Sequence, residues 1–216
     1  MGAGGRTVTT TDRAWAGART VRVWDPLVRA FHWSLVATVA LAWLSADEVQ
    51  PVHEVAGYVV AGLIAFRLVW GLIGGRYARF SQFVKGPGSA LAYLRTMLRG
   101  TERRYIGHNP AGAAMIVALL LSLSGTALTG WLSADPALVA MLPDMPRIVT
   151  PAWADDGREE EEETLEDLHE VLANLSLFLV ALHVGGVLLS SLRHRENLVH
   201  AMVTGRKRAP GGDDIA

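Results

Sequence analysis

At 216 residues the chain is long enough for a soluble domain, but half of it is apolar, and those residues gather in blocks rather than spreading as a soluble core requires. The lack of cysteine excludes disulfides, thiolate metal sites, iron–sulfur clusters and covalent C-x-x-C-H haem attachment. The formal net charge of −1 excludes little, because the two signs are segregated along the chain.

Residues 1–20 are rich in Gly, Thr and Ala without periodicity and read as a flexible tail, with no signal-peptide pattern before the first apolar block. A span needs roughly 20 mostly apolar residues. Four blocks meet that length, and helices are predicted over about 27–46, 53–74, 111–133 and 168–192. Residues 21–205 are therefore expected to form an all-α integral membrane unit, a four-transmembrane-helix bundle, with 206–216 as a second tail. Between the second and third spans, "GGRYARFSQFVKGPGSALAYLRTMLRG" mixes basic and apolar residues and reads as an amphipathic segment lying on an anionic leaflet. The acidic run at 159–163 reads first as a solvated, disordered loop and second as a surface that attracts a basic periplasmic carrier.

Lys and Arg collect in the N-terminal segment, the second connection and the C-terminal tail, while the first and third connections are acidic. Basic segments stay on the cytoplasmic side. Both termini are thus expected inside, in a multi-pass protein of the bacterial inner membrane in contact with lipid, and no nucleic-acid partner is expected.

This topology sorts the histidines by depth. His32 lies toward the inner side of the first span, and His53 and His169 lie near the outer face. His183, fourteen residues past His169, is about 21 Å deeper at 1.5 Å per residue. Fourteen residues come within roughly 40° of four full turns, so both rings share one helix face. The expectation is an outer pair, His53 with His169, and an inner pair, His32 with His183. A single membrane histidine is often an interhelical hydrogen bond. Two depth-matched pairs on three helices ask for more. Zinc takes three or four protein ligands, whereas haem iron brings four porphyrin nitrogens and needs two axial ones.

Other residues have two readings each. Arg67, the one full charge inside a span, stands level with the inner pair; it either snorkels to the interface or pairs with the inner haem's propionates. His108 reads first as a surface histidine and second as a proton shuttle or propionate contact, with Asn109 as the cap of a helix starting at Pro110. Trp24, Trp33, Trp43, Trp70 and Trp131 suit an interfacial belt. Gly57, Gly62, Gly125 and Gly130 suit close approach of a helix or porphyrin.

The runs "VRVWDPLVRAFHW", "HEVAGYVVAGLIAFRLVWGLIGGRYARFSQFV", "RYIGHNPAGAAMIVALLLSLSGTALTGWL" and "LHEVLANLSLFLVALHVGGVLLSSLRHRENLVHAMVTGRK" resemble the bacterial cytochrome b561 / nickel–iron hydrogenase b-type cytochrome family over almost all of 21–207. The early first-helix histidine, the second-helix histidine before Gly-Tyr and the H-x13-H of the last helix carry the likeness. It implies a bundle holding two haems b between helices, with His32, His53, His169 and His183 as iron ligands and quinone as one redox partner. The basic second connection with "GHNPAG" and the long acidic third connection lean toward the hydrogenase-cytochrome branch. The expected role is electron transfer across the bilayer between quinone and a periplasmic or membrane-associated redox protein, hydrogenase-like or a cytochrome c. That makes the chain an anchor subunit more than a self-contained enzyme. The rivals are a free-standing superoxide:quinone oxidoreductase and, from another class, a histidine-based ion or proton transporter.

Overall fold

The computed structural model describes residues 20–134 and 157–215, with the backbone alone for 157–162. Strand β1 (Thr20–Arg22) leads into helix α1 (Pro26–Ser45), followed by α2 (Gln50–Ile73), the short α3 (Phe80–Phe83), α4 (Pro87–Leu98) and α5 (Pro110–Ser133). After the undescribed stretch come α6 (Gly157–His194), α7 (Leu198–Thr204) and strand β2 (Arg206–Arg208).

Local chemistry sets the helix starts. The Asp25 carboxylate accepts from the Val28 amide at 2.9 Å, and Pro26 occupies the first turn, where its missing N–H is no loss. Asn109 caps α5 in the same way, accepting from Gly112 N at 2.7 Å with Pro110 next. Where α2 ends, Gly71 permits a close approach: a Cβ there would lie 2.0 Å from the Phe80 ring, so α3 tucks under α2 only because Gly71 has none.

Four helices are long and apolar enough to cross a membrane: Pro26–Ser45, Gln50–Ile73, Pro110–Ser133 and Glu163–His194, with mean hydropathies of 1.5 to 2.1. Their outward faces carry large apolar side chains such as Leu72, Ile73, Leu121 and Leu192, each about 70 % exposed or more, as lipid-facing surfaces require. Inside, Val60 and Ile64 of α2 pack on Leu120 and Leu123 of α5. Helix α6 lies along α5 and α1 along α2, with α2 also against α5; α6 makes no comparable packing with α1 or α2. Hydrocarbon offers no hydrophobic drive between helices, so small and polar contacts join them. The α5–α6 seam shows both: Ser176 Oγ donates to Ser122 Oγ at 3.1 Å, both buried, and Gly125 admits Leu172.

The expected tail over 1–20 lies, apart from Thr20, outside the described residues, and the described termini meet in a packed cap at one end of the bundle. β1 pairs antiparallel with β2, Thr20 opposite Arg208, which puts both described ends on the same side. Arg104, ahead of α5, is buried and pairs with Glu196 at 2.7 Å and Asp214 at 2.5 Å, while Lys207 reaches Glu196 at 3.4 Å. Burial opposes the Arg104 charge, but Glu196 and Asp214 outweigh it and raise its pKa. Residues 206–215, the expected C-terminal tail, form part of a packed cap, and Ile215 bridges to Tyr105. The acidic run at 159–163 also differs from the expected loop: its backbone lies in the first turns of α6, which begins at Gly157.

Candidate functional site

The two expected histidine pairs meet in space. His53 on α2 faces His169 on α6 with ring centroids 6.0 Å apart and planes at 77°. His32 on α1 faces His183, also on α6, at 6.5 Å and 55°. Helix α6 thus supplies one histidine to each level, about 21 Å apart along its axis. The opposing rings come from α1 and α2, which, among the described residues, pack on α6 far less than α5 does.

The spacing is informative. A metal–imidazole bond is about 2.0–2.1 Å, and the ring centre stands a little over an ångström behind the bonding nitrogen. Two imidazoles on opposite sides of one metal therefore have centroids roughly 6.3 Å apart. Both pairs match that separation; both are too far apart for a direct hydrogen bond, and they lie within the 4.5–7 Å range of tilted or edge-to-face ring contacts. Among the described residues, no group of three or more His, Cys, Asp or Glu converges on a point that could hold a bare ion. Two opposed imidazoles and no third donor suit a metal that brings its own in-plane ligands. An added Cβ at Gly57, one turn past His53 on the same face of α2, would meet no atom within 4 Å, so the helix surface beside that histidine is open.

The rings differ in how they are held. His53 Nδ1–H donates to the Ala42 carbonyl at 2.9 Å, a bond from α2 back to α1. His169 Nδ1–H donates to the Thr126 carbonyl at 2.9 Å, with the Thr129 hydroxyl 3.3 Å away. A proton fixed on Nδ1 leaves Nε2 as the coordinating nitrogen. Gly130 completes this clamp: a Cβ there would stand 2.8 Å from His169 Cε1 and 3.0 Å from Nδ1. On the other level, His32 Nδ1 is shielded from solvent without a partner among the described residues.

Arg67 is 4 % exposed, so it does not snorkel into water. Its Nη2 donates to the Ala78 carbonyl at 3.1 Å, its guanidinium lies 4.6 Å over the Phe80 ring, and its Nη1 is buried without a partner. The neighbouring Phe66 contacts Phe31, the residue before His32, at 6.3 Å between ring centroids, which puts Arg67 beside the His32/His183 level.

His108 departs from the surface position expected of it. Its ring sits between Trp24 and Phe83, at 4.6 and 4.4 Å between centroids. Burial, then Arg67, Lys207 and His183, push its imidazole down to about 3, so it stays neutral. Trp24 is correspondingly buried instead of joining a belt, whereas Trp33, Trp43 and Trp131 are 40–60 % exposed on the lipid faces. The clamp on His169 lay outside a reading by side-chain type, because its main acceptor is a backbone carbonyl. The only signal was the run of small residues in "SLSGTALTG", in which Gly125 and Gly130 do permit close approach.

No curated protein and no solved structure matches the chain. A family profile described as prokaryotic cytochrome b561 matches residues 23–205, which takes in all four spans and all four paired histidines. The chain therefore belongs to the prokaryotic cytochrome b561 family, and is a membrane b-type cytochrome that binds haem b and takes part in electron transfer.

Proposed function

We propose that the protein holds two haems b, one between His32 and His183 and one between His53 and His169, and carries electrons across the inner membrane. The observation that carries this reading is the pair of centroid separations, 6.0 and 6.5 Å, at two depths on one helix. Bound haem supplies one-electron redox chemistry, and the chain supplies position, potential and exclusion of water. Held by a histidine pair at each level, neither haem iron would be open to oxygen or substrate. Ala42 and Thr126 fix the donor nitrogens of one level, and Arg67 Nη1 is available to a carboxylate on the other, as a guanidinium beside a propionate would be.

The termini and the basic cap lie on the cytoplasmic side in this reading, following the distribution of Lys and Arg. Quinone serves as one partner and a redox protein as the other, with the chain as membrane anchor of an oxidoreductase. Asp47, Glu48, Glu54, Glu166, Asp167 and Glu170 gather at the end away from the termini. That field attracts a basic carrier and repels an anion such as superoxide, which disfavours the free-standing superoxide enzyme.

Single ligand replacements test the assignment. His183→Ala and His169→Ala should each retain one haem b per chain and lose the other, by pyridine haemochrome and α-band spectra. Full haem content in either variant would remove that residue from the ligand set.

A further inference from the structure

We infer that the cleft between the end of α2 and the start of α5 binds the phosphate of an anionic phospholipid, with Arg76 and Lys85 as its cations. This site lies outside the histidine levels and does not depend on how many haems they hold.

Three parts of the chain build the cleft. Arg76, Tyr77 and Lys85 come from the connection after α2, His108 from the residues leading into α5, and Ile215 from the C-terminal segment. Its walls are fixed. The His108 ring is wedged between Trp24 and Phe83, and its Nδ1 has no partner among the described residues. Gly107 lets the Tyr77 ring close in, since a Cβ there would stand 2.9 Å from Tyr77 Cδ1. Backbone bonds pin Ile215: its N–H donates to the Arg104 carbonyl and its carbonyl accepts from the Ile106 N–H, both at 2.9 Å. The Arg76 guanidinium lies 5.6 Å from the Tyr77 ring centroid, a contact that orients it and leaves its N–H groups to a ligand.

The charge is one-sided. Among the described residues no carboxylate lines the cleft, and neither Arg76 nor Lys85 has an ion pair. Glu196 and Asp214, acids of the neighbouring cap, are already engaged by Arg104 and Lys207. A guanidinium fork and an ammonium suit phosphate oxygens, and a ligand without negative charge would leave both cations unmatched. Depth decides what carries the phosphate. Arg76 stands three residues past the end of α2, and Lys85 two past the end of α3, where the chain leaves the hydrocarbon. Beside them Leu72, Ile73 and Val84 are exposed, a surface for acyl chains. A phosphate tethered to acyl chains meets both surfaces at once, whereas a soluble phosphate meets the cations alone. A headgroup with its own ammonium brings another cation into a cleft without an acid, so an anionic lipid is preferred to a zwitterionic one.

The test is native mass spectrometry of the purified holoprotein in neutral detergent, titrated with dioctanoyl phosphatidylglycerol or dioctanoyl phosphatidylcholine. The expected result is one phosphatidylglycerol per chain bound saturably, with phosphatidylcholine about tenfold weaker or more. Each basic residue beside an anionic headgroup is worth roughly fivefold, so Arg76→Gln/Lys85→Gln should weaken phosphatidylglycerol by about thirtyfold. Both side chains are exposed, so the haem spectrum of that variant should stay as in the wild type. Arg95→Gln/Arg99→Gln removes two equally exposed cations of α4 and its end that do not line the cleft, and should leave the affinity in place. Equal affinity for the two lipids overturns the inference, as does an equal loss in the two double variants, which would reduce the effect to general surface charge. Inorganic phosphate, added at constant ionic strength, should not displace the lipid; displacement would make the cleft a site for soluble phosphate and overturn the lipid assignment.

Discussion

Gly130→Ala is the smallest change that reaches His169, a proposed haem ligand, without replacing it. The new Cβ would lie 2.8 Å from His169 Cε1. Ordinary carbon contacts lie at about 3.5–4.0 Å, so the ring must retreat from α5 by roughly 0.7–1.2 Å. Its acceptor, the Thr126 carbonyl, is on α5 as well, so the 2.9 Å hydrogen bond opens beyond bonding range. Losing that bond costs about 0.5–1.5 kcal/mol, and overpacking adds about 1–3 kcal/mol. Together these are about 1.5–4.5 kcal/mol, or up to roughly 10- to 2,000-fold in retention of the haem proposed for His169. The assay is haem transfer from the detergent-solubilised protein to an excess of apo-globin scavenger. The account predicts two phases, one accelerated by the substitution and the other at its wild-type rate. Both phases unchanged, or both accelerated equally, would refute the clamp as a device specific to the His53/His169 level.

The cap and the buried histidine yield two more predictions. Glu196→Gln leaves Arg104 and Lys207 without their shared carboxylate, and breaking a buried pair of this kind costs about 3 kcal/mol; hydrogen exchange at 206–215 should rise while the spans stay protected. Burial works to raise the Glu196 pKa, but Arg104, Lys207 and the Arg208 amide hold it below the usual range. Its stabilisation is therefore present above the ordinary carboxylate pKa of about 4.3 and fades as pH falls through the lower folded value, so wild-type tail protection should fade on acidification and the Gln variant should show less of that dependence. His108 has the opposite polarity. Its folded pKa of about 3 lies below the ordinary 6.5, so the unfolded chain takes up a proton that the folded chain refuses. Stability then falls as pH drops from 6.5 toward 3, and His108→Phe should flatten that slope in detergent melts; identical slopes would place the ring in water.

How much of this was legible beforehand follows from how local each signal is. The spans announce themselves because hydrocarbon demands a continuous apolar run, and the Pro-led starts of α1 and α5 carry their caps within a few residues. The pairing of His32 with His183 and His53 with His169 was also readable, since helix rise converts spacing into depth and an even number of spans fixes which ends meet. The cap was not, because β1 and β2 lie at opposite ends of the described chain and Arg104 finds Glu196 across 92 positions. The environment of His108 likewise depends on Trp24 and Phe83, brought in by elements on either side of α2. The brace on His53 is a carbonyl of Ala42, and no side-chain pattern announces a carbonyl.

The central claim, two haems b held by four histidines, is tested most directly by one preparation. Purified protein is assayed for pyridine haemochrome per chain, with a dithionite-reduced minus oxidised spectrum of the same sample. The account predicts two haems b per chain with sharp α-bands typical of bis-histidine ligation. One haem, or none, would mean that at least one histidine pair only packs helices together.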